Sequence, residues 1–368
     1  EWTGVMGGSV WVLVANILIY EALKHRSVKH YLGAATAVLL PVVVSLCLYF
    51  AHEPSAERVK IAVVQPNVDC YDEKFADNGE WQMENIEALL QQIPRDVEVV
   101  ALPETALPEH LQDNAPENGW SIEMLQESID SLYNHAMLIT GASTVKYYAP
   151  QEPRTATARK AQRGYYYDVY NSAVALNTTS GGNVHHKMRL VIGVETMPTF
   201  NLLNGYIDLG GITGQLGRND KATVFHHEDV AVGPAICYEG LYGDSFARFV
   251  REGAEVMTVL SNDGCWGDTA GHKRLFDFCR LRAVECHRAI ARSANTGVSG
   301  FITSRGDVVE RLDWEERGVL IEDVECRRDV TMYVQYGDWV GRMAQLLTFL
   351  GVMYYTAYRV RRRNHLVN

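Results

Sequence analysis

Three residues that could carry out chemistry together stand in or directly after apolar, strand-like runs of the sequence. Cys237 follows the run 230–236, Glu104 follows the run 97–102, and Lys187 lies within a third run. A carboxylate can take a thiol proton, a thiolate can attack a carbonyl carbon, and an ammonium can stabilise the oxyanion that forms. The set therefore predicts acyl chemistry through a covalent cysteine intermediate.

Cys237 is the predicted nucleophile because it stands at a turn between a strand and a helix over 245–250. The first amides of such a helix carry partial positive charge, which favours the thiolate. The alternative is a small buried side chain, since cysteine is among the most buried residue types. Glu104 and Lys187 taken singly could equally be solvated. Their similar placement favours a shared site, because strand ends on one edge of a sheet can converge.

Strands alternate with helices through the middle of the chain, which predicts a layered α/β domain. The predicted strands are 59–66, 97–102, 137–140, 172–176, 184–191, 230–236, 254–260, 298–303 and 308–312. The predicted helices are 81–93, 122–136, 245–250 and 271–290. Residues 151–164 are polar and basic, which indicates an exposed loop without regular structure.

Composition excludes several classes of protein. The chain has 368 residues, of which 47% are hydrophobic and 21% are charged, and its net charge is -11. An acidic chain of this kind has no overall basic surface for nucleic acid. Its seven cysteines are odd in number and form no CxxC pair, so neither a zinc site nor a disulfide framework is indicated. No metal or organic cofactor is implied.

Three apolar runs, at about 5–20, 31–51 and 339–358, are predicted to cross a membrane. The run 31–51 has no charged residue and is long enough to span a bilayer. The two shorter runs have the alternative of a buried core helix. Basic residues lie between the first two runs and after the third, and such clusters are typically cytoplasmic. The acidic segment between the second and third runs is then expected outside the cytoplasm.

These patterns predict three regions. Residues 1–57 form two transmembrane helices with a cytoplasmic loop, residues 58–330 form an extracytoplasmic catalytic domain, and residues 331–368 form a third transmembrane helix with a basic cytoplasmic tail. The sequence begins with Glu1 close to an apolar run, which predicts that it is truncated at its N-terminus.

Short motifs around the three candidate residues resemble a known superfamily. The segments 102–105 (LPET), 186–190 (HKMRL) and 235–239 (AICYE) are similar to the Glu, Lys and Cys motifs of the nitrilase or carbon–nitrogen hydrolases. The resemblance covers about residues 59–322. The flanking apolar runs, together with GVETMP at 193–198 and the segment 290–300, resemble the apolipoprotein N-acyltransferase branch.

The resemblance implies a nitrilase-like α-β-β-α sandwich flanked by transmembrane helices, on the periplasmic side of a bacterial inner membrane. It implies transfer of an acyl chain from a membrane phospholipid to the N-terminal amine of a diacylglyceryl-cysteine apolipoprotein. Cys237 would carry the acyl chain as a thioester, and Glu104 would be the general base. Lys187, with the Tyr238 amide, would stabilise the oxyanion.

Further residues match positions of the family with supporting roles. The resemblance implies that Glu195 orients Lys187 and that Glu239 supports the nucleophile. Asn262 and Asp263 are expected to shape the floor of the pocket. The alternative for the two glutamates is that they are ordinary loop acids.

The sequence departs from the family at Cys265, where an aromatic residue is common, and in having fewer membrane spans. Residues 200–217 are a candidate mobile lid. Two other functions stay open. A membrane-tethered amidase or nitrilase would use water as the acceptor, and the Glu, Lys and Cys set cannot separate it from an acyltransferase because both form an acyl-cysteine. A binding module without catalysis is the third possibility.

Overall fold

The computed structural model has two β-sheets packed face to face within the part of the chain that it describes. The described residues are 1–69, 79–132, 136–161, 163–180, 183–196 and 215–365. The chain divides into two compact units, Pro54–Val330 and a second unit made of Glu1–Glu53 with the residues from Thr331 onward. Both sheets belong to the first unit.

The helices are α1 (Gly4–His25), α2 (Val28–Ala51), α3 (Gly79–Leu90), α4 (Trp120–Leu132), α5 (Gly243–Arg251), α6 (Ala270–Cys286), α7 (Met332–Tyr336) and α8 (Trp339–His365). The strands are β1 (Arg58–Gln65), β2 (Val99–Ala101), β3 (His110–Gln112), β4 (Met137–Tyr148), β5 (Arg159–Lys160), β6 (Tyr166–Leu176), β7 (Val184–His186), β8 (Phe225–His227), β9 (Val230–Ile236), β10 (Val256–Ser261), β11 (Ile290–Ala294), β12 (Ser299–Ile302), β13 (Val308–Leu312) and β14 (Gly318–Glu325). Short 3-10 turns cover Pro116–Asn118, Cys237–Leu241 and Gly264–Trp266.

Each sheet has a parallel centre. The first sheet runs β14-β1-β2-β4-β6-β5, with β3 beside β4 and β7 beside β6. The second sheet runs β13-β12-β11-β10-β9-β8. Strands β1, β2 and β4 are parallel to one another, and so are β9, β10 and β11. Because parallel strands point the same way, the residues that follow them gather at one edge of the sheet, where α/β proteins bind ligands.

The sheets are held together by apolar side chains that alternate along each strand. In β1, Val59, Ile61 and Val63 lie in the core cluster that the two sheets share, whereas Ala62 and Val64 pack in the cluster with α3 and α4. This period of two is the geometry of a strand, and apolar residues on both faces are typical of a strand buried on both sides. The sequence of β1 therefore fixes it inside the sandwich.

Helices cover the outer faces of both sheets. On α4, Ile122, Leu125 and Ile129 recur every three or four residues and pack with α3 against the first sheet. On the second sheet α5 contacts β9 and α6 contacts β12, with Phe246 and Phe249 buried along α5. The layers are α-β-β-α, and the predicted fold class is confirmed.

Several predicted elements differ from the observed ones in length. Strands β4 and β6 are much longer than predicted because they pair with each other along their whole lengths. The predicted strand 184–191 ends at His186, since the chain leaves the sheet where Lys187 turns toward two carboxylates. The predicted loop 151–164 contains the short strand β5, which pairs with β6.

Helices α1 and α2 have the length and apolar composition of membrane spans, and they are the two helices of the described residues that meet this criterion. Helix α8 has 27 residues, or roughly 40 Å at 1.5 Å per residue, which is long enough to cross a bilayer. It continues through Arg359 to His365, so the predicted basic tail is largely helical. The third membrane span stays a prediction.

Gly141 is the point where β4 touches the turn that carries Glu104. A Cβ atom at Gly141 would lie 2.5 Å from the Glu104 Cα and 2.4 Å from the Thr105 nitrogen. We therefore expect Gly141→Ala to lower the free energy of unfolding by about 1–3 kcal/mol, the usual cost of overpacking. Thermal unfolding of the chain in detergent measures the change.

The matched control is Gly318→Ala in β14, where the nearest atom to the added Cβ would be 3.5 Å away, an ordinary contact. An equal loss of stability in both variants would contradict the steric argument.

Candidate active site

A buried ammonium group lies at the centre of the site. Lys187 is 1% exposed, and its Nζ atom donates to Glu104 Oε1 at 2.8 Å and to Glu195 Oε1 at 2.9 Å. Burial alone lowers the pKa of a lysine, but the two carboxylates outweigh burial and hold the pKa of Lys187 above its ordinary value. The side chain therefore stays charged inside the protein.

Glu104 follows β2 and is held by three donors. Its Oε1 atom accepts from Lys187 and from Asn171 Nδ2 at 2.7 Å, and its Oε2 atom accepts from the Asn262 N–H at 3.0 Å. The next residue, Thr105, has a φ of 48°, in the left-handed region that non-glycine residues rarely adopt. Strain of this kind is typical of positions that the surrounding structure fixes for function.

Cys237 is the first residue of the 3-10 turn after β9, and its own φ is 44°. The residue is half-buried, and its thiol is enclosed by protein. Burial raises the pKa of the thiol, the Glu104 carboxylate raises it further, and the Lys187 ammonium opposes both. The expectation that the thiolate of Cys237 is favoured was wrong, because burial and the nearby Glu104 carboxylate raise the pKa of the thiol. A neutral thiol requires a base to become nucleophilic.

Glu239 joins the two sheets beside Cys237. Its Oε1 atom accepts from the Met188 N–H, after β7 of the first sheet, and its Oε2 atom accepts from the Ile236 N–H, at the end of β9 in the second sheet, both at 2.7 Å. His185 Nε2 lies 3.5 Å from the Oε2 atom, and all of these side chains are buried. One carboxylate thus fixes the distance between the main chains that carry Lys187 and Cys237.

Glu195 lies where the resemblance predicts a partner for Lys187. Its Oε1 atom accepts from Lys187 and from Asn171, and its Oε2 atom accepts from the Val191 N–H at 2.7 Å. The bond to Val191 closes the turn that carries Glu195. The carboxylate is therefore held from its own loop as well as from the lysine.

Asn171 is a residue of the site that the sequence reasoning missed. It is buried on β6, and its Nδ2 atom donates to Glu104 Oε1 and Glu195 Oε1, both at 2.7 Å. These are the same two oxygens that receive Lys187, so the amide separates carboxylates that would otherwise repel each other. The sequence signal that could have identified Asn171 is a single amide side chain within the largely apolar run that forms β6. In the structure the Asn171 carbonyl also accepts the Lys187 N–H at 2.9 Å.

Asn262 and Asp263 follow β10 and have different surroundings. The Asn262 main chain holds Glu104, and its side-chain oxygen accepts from Asn295 Nδ2 at 3.1 Å. Asp263 is fully buried, with its carboxylate 2.8 Å from the Arg292 guanidinium. Burial lowers the pKa of the Arg292 guanidinium, but Asp263 outweighs it and the pKa is raised. Asp263 therefore attaches the segment after β10 to Arg292 of β11.

Tyr238 is the second residue of the 3-10 turn, so its N–H is among the first-turn donors that a helix leaves without an internal partner. Its ring packs edge-on against Tyr242, with centroids 5.3 Å apart. Cys265 lies in the turn Gly264–Trp266, and its side chain is outside the described part of the structure. The candidate lid, residues 200–217, also falls outside the described residues except for 215–217.

The site therefore brings together a cysteine thiol, a carboxylate and a buried ammonium at the strand ends of two sheets. Residues 60–328 match the carbon–nitrogen hydrolase family. The chain belongs to this family. The matched span contains every candidate site residue, and the members of this site come from both sheets of the hydrolase fold.

Curated proteins similar to this chain include apolipoprotein N-acyltransferases. The protein from Chlorobaculum tepidum is 28% identical over 357 residues, which cover 92% of this chain and 66% of that protein. The protein from Azotobacter vinelandii is 27% identical over 350 residues, which cover 90% of this chain and 62% of that protein. The predicted resemblance is confirmed. The chain spans slightly less than two thirds of the length of these relatives.

A solved structure shows the same fold. Nit3 of Saccharomyces cerevisiae, a member of the nitrilase superfamily, aligns with a TM-score of 0.51 and 18% identity over 75% of this chain and 93% of that chain. The likeness supports the sandwich architecture of the carbon–nitrogen hydrolase family.

Removing the charge of Glu104 should lower the pKa of the Cys237 thiol, because that charge is one of the causes that raise it. We expect Glu104→Gln to shift the pH dependence of Cys237 alkylation by iodoacetamide to lower pH. A shift of one pH unit would raise the alkylation rate below the midpoint about tenfold. Peptide mass spectrometry distinguishes alkylation of Cys237 from that of the other cysteines.

Glu123→Gln, on an exposed face of α4, is the control for Glu104→Gln. A shift of the alkylation curve to higher pH in Glu104→Gln would show that the Glu104 charge does not raise the pKa of the Cys237 thiol.

Removing Asn171 should move the same curve in the opposite direction. Without its amide the negative charge of Glu104 is less compensated, so we expect Asn171→Ala to raise the pKa of the Cys237 thiol further. The alkylation curve then moves to higher pH. The neighbouring Ser172→Ala changes a side chain that bonds Thr144 instead, and it should leave the curve in place. An unchanged curve in Asn171→Ala would show that the amide only fills space.

Proposed function

We propose that the chain transfers an acyl chain from a membrane phospholipid to the N-terminal amine of a diacylglyceryl-cysteine apolipoprotein, through a thioester on Cys237. The observation that carries the proposal is the contact of Lys187 with Glu104 and Glu195 beside the Cys237 thiol. In this proposal Glu104 is the general base, Lys187 stabilises the oxyanion and Cys237 is the nucleophile.

The first half-reaction forms the thioester. As the sulfur of Cys237 bonds the ester carbonyl carbon, its proton passes to the Glu104 carboxylate. The oxyanion is stabilised by the Lys187 ammonium and by the Tyr238 N–H. When the intermediate collapses, the ester C–O bond breaks, and Glu104 returns the proton to the alcohol of the departing lysophospholipid.

The second half-reaction transfers the acyl chain. The apolipoprotein amine attacks the thioester carbonyl and gives a proton to Glu104, and collapse breaks the C–S bond. Cys237 then takes the proton back and the site returns to its starting state. Two half-reactions that share one covalent intermediate predict ping-pong kinetics.

Support for a lipid donor and a lipidated acceptor comes from outside the site. Helices α1 and α2 have the composition of membrane spans, and the curated relatives carry the name apolipoprotein N-acyltransferase. We propose in addition that α8 is a third span, that the membrane is the bacterial inner membrane, and that the domain 58–330 lies on its periplasmic side. The basic residues after α1 and in the last turns of α8 are consistent with a cytoplasmic location.

The competing function is hydrolysis of a small C–N substrate by a membrane-tethered enzyme. The observation that favours it is the family match itself, which is to carbon–nitrogen hydrolases. Both functions pass through an acyl-cysteine, so the acceptor and the acyl donor distinguish them.

Intact-protein mass spectrometry after incubation of the chain with phospholipid in detergent tests the proposal. We expect a mass gain of one acyl chain that hydroxylamine removes and that Cys237→Ala abolishes. Glu104→Gln and Lys187→Met should slow its formation by about 10²-fold or more, because each removes base or oxyanion assistance.

Two results would count against acyl transfer. An adduct that persists in Cys237→Ala would place the acyl chain elsewhere. Absence of the adduct, together with ammonia release from small amides, would assign the site to hydrolysis.

A further inference from the structure

Strands β4 and β6 extend beyond their neighbours in the first sheet. Strand β2 pairs with β4 only at 137–139, and β3 pairs with it only at 143–145. From 146 to 148 the described partner of β4 is β6, whose start also pairs with β5. We call residues 146–161 and 163–168 the arm.

The arm carries a cluster of exposed aromatic rings. The rings of Tyr147, Tyr165 and Tyr167 lie with centroids 5.5 to 6.5 Å apart, and Tyr147 and Tyr165 are 52% and 43% exposed. Contiguous exposed aromatic surface is uncommon on a soluble face and often marks an interaction site. The cluster therefore indicates a partner that can contact both the apolar rings and the polar hydroxyls of these tyrosines.

The arm is also basic on an otherwise acidic chain. It contains five basic residues, Lys146, Arg154, Arg159, Lys160 and Arg163, against two acidic residues, Glu152 and Asp168. The whole chain has a net charge of -11. Lys160 and Arg163 are exposed and form no ion pair within the described residues. This local excess of positive charge favours an anionic partner.

Side-chain contacts hold the arm in its conformation. The buried Asp168 carboxylate accepts hydrogen bonds from Tyr148 Oη at 2.5 Å and from the hydroxyls of Thr155 and Thr157 at 2.5 and 2.8 Å. The Arg154 guanidinium stacks 3.5 Å above the ring of Tyr166. A loop fixed in this way pays little further conformational entropy on binding, which distinguishes it from a merely solvated loop.

We propose that the arm binds the anionic phospholipid head groups of a membrane surface. Tyrosine rings beside lysine and arginine are the composition of protein segments at the membrane–water interface, where basic residues are attracted to anionic lipids. The chain carries two helices with the length and composition of membrane spans, so it has a membrane surface available. This binding does not depend on the acyl transfer.

The arm is linked to the candidate active site by one side-chain and one main-chain hydrogen bond. Arg159 donates to the Gln215 carbonyl at 2.9 Å, and the next residue, Leu216, donates its N–H to the Glu195 carbonyl at 2.9 Å. Lipid bound by the arm would therefore lie on a segment that is hydrogen-bonded, through residues 215–216, to Glu195, the residue that accepts from Lys187.

Hydrogen exchange of the full chain in nanodiscs tests the proposal. We expect amides of the arm to exchange several-fold more slowly in discs that contain phosphatidylglycerol than in discs of phosphatidylcholine alone, and added salt should reduce the difference. The double variant Lys160→Glu with Arg163→Glu should lose it. The control Arg95→Glu with Lys273→Glu reverses two exposed charges elsewhere and should keep it.

Several results would overturn the proposal. One is that the exchange of the arm amides in the unaltered chain does not depend on phosphatidylglycerol. Another is that the double variant, with an unchanged unfolding temperature, shows the same protection as the unaltered chain. Protection by free glycerol phosphate in phosphatidylcholine discs would indicate a phosphate site instead of a membrane surface. Protection by an acidic peptide alone would indicate a protein partner. Cys237→Ala should keep the protection, so this proposal and the acyl transfer can fail separately.

Discussion

The structure of the site depends on one buried ammonium group, that of Lys187. An ion removed from water costs several kcal/mol unless charges and hydrogen bonds replace its hydration. Glu104 and Glu195 supply the charge, but two carboxylates around one cation leave an excess of negative charge. Asn171 offsets part of that excess with two hydrogen bonds. The Glu104 charge adds to burial in raising the pKa of the Cys237 thiol, so the protonation of this thiol depends on how the lysine is stabilised.

The residues of the candidate site are divided between the two sheets. Glu104 and Lys187 follow strands of the first sheet, and Cys237 follows a strand of the second. Their relative positions depend on the apolar core between the sheets and on Glu239, which bonds the main chain of both. Thr105 and Cys237, which both have a φ in the left-handed region, occur where the chain leaves β2 of the first sheet and β9 of the second at the candidate site. Favourable packing elsewhere has to compensate for strain at both turns.

Much of this arrangement could be predicted from the sequence, because strand ends and polar residues within apolar runs are local signals. Those signals located Glu104, Lys187 and Cys237, and motif resemblance added Glu195 and Glu239. Asn171 was missed because one amide in a strand has meaning only when its neighbours in space are known. The protonation of Cys237 was predicted with the wrong sign because helix amides are visible in a sequence, whereas the distance to Glu104 and the depth of burial are not. Residues 151–164 were predicted as a loop without regular structure because the hydrogen bonds of Asp168 to the hydroxyls of Tyr148, Thr155 and Thr157 cannot be read from the sequence.

The two hydrogen bonds of Glu239, one to each sheet, have a consequence for the folding of the chain. While the sheets are apart, Cys237 has neither the Glu104 carboxylate nor the Lys187 ammonium beside it, because these residues follow strands of the other sheet. The surroundings that raise the pKa of the Cys237 thiol are therefore assembled only when the two sheets pack together.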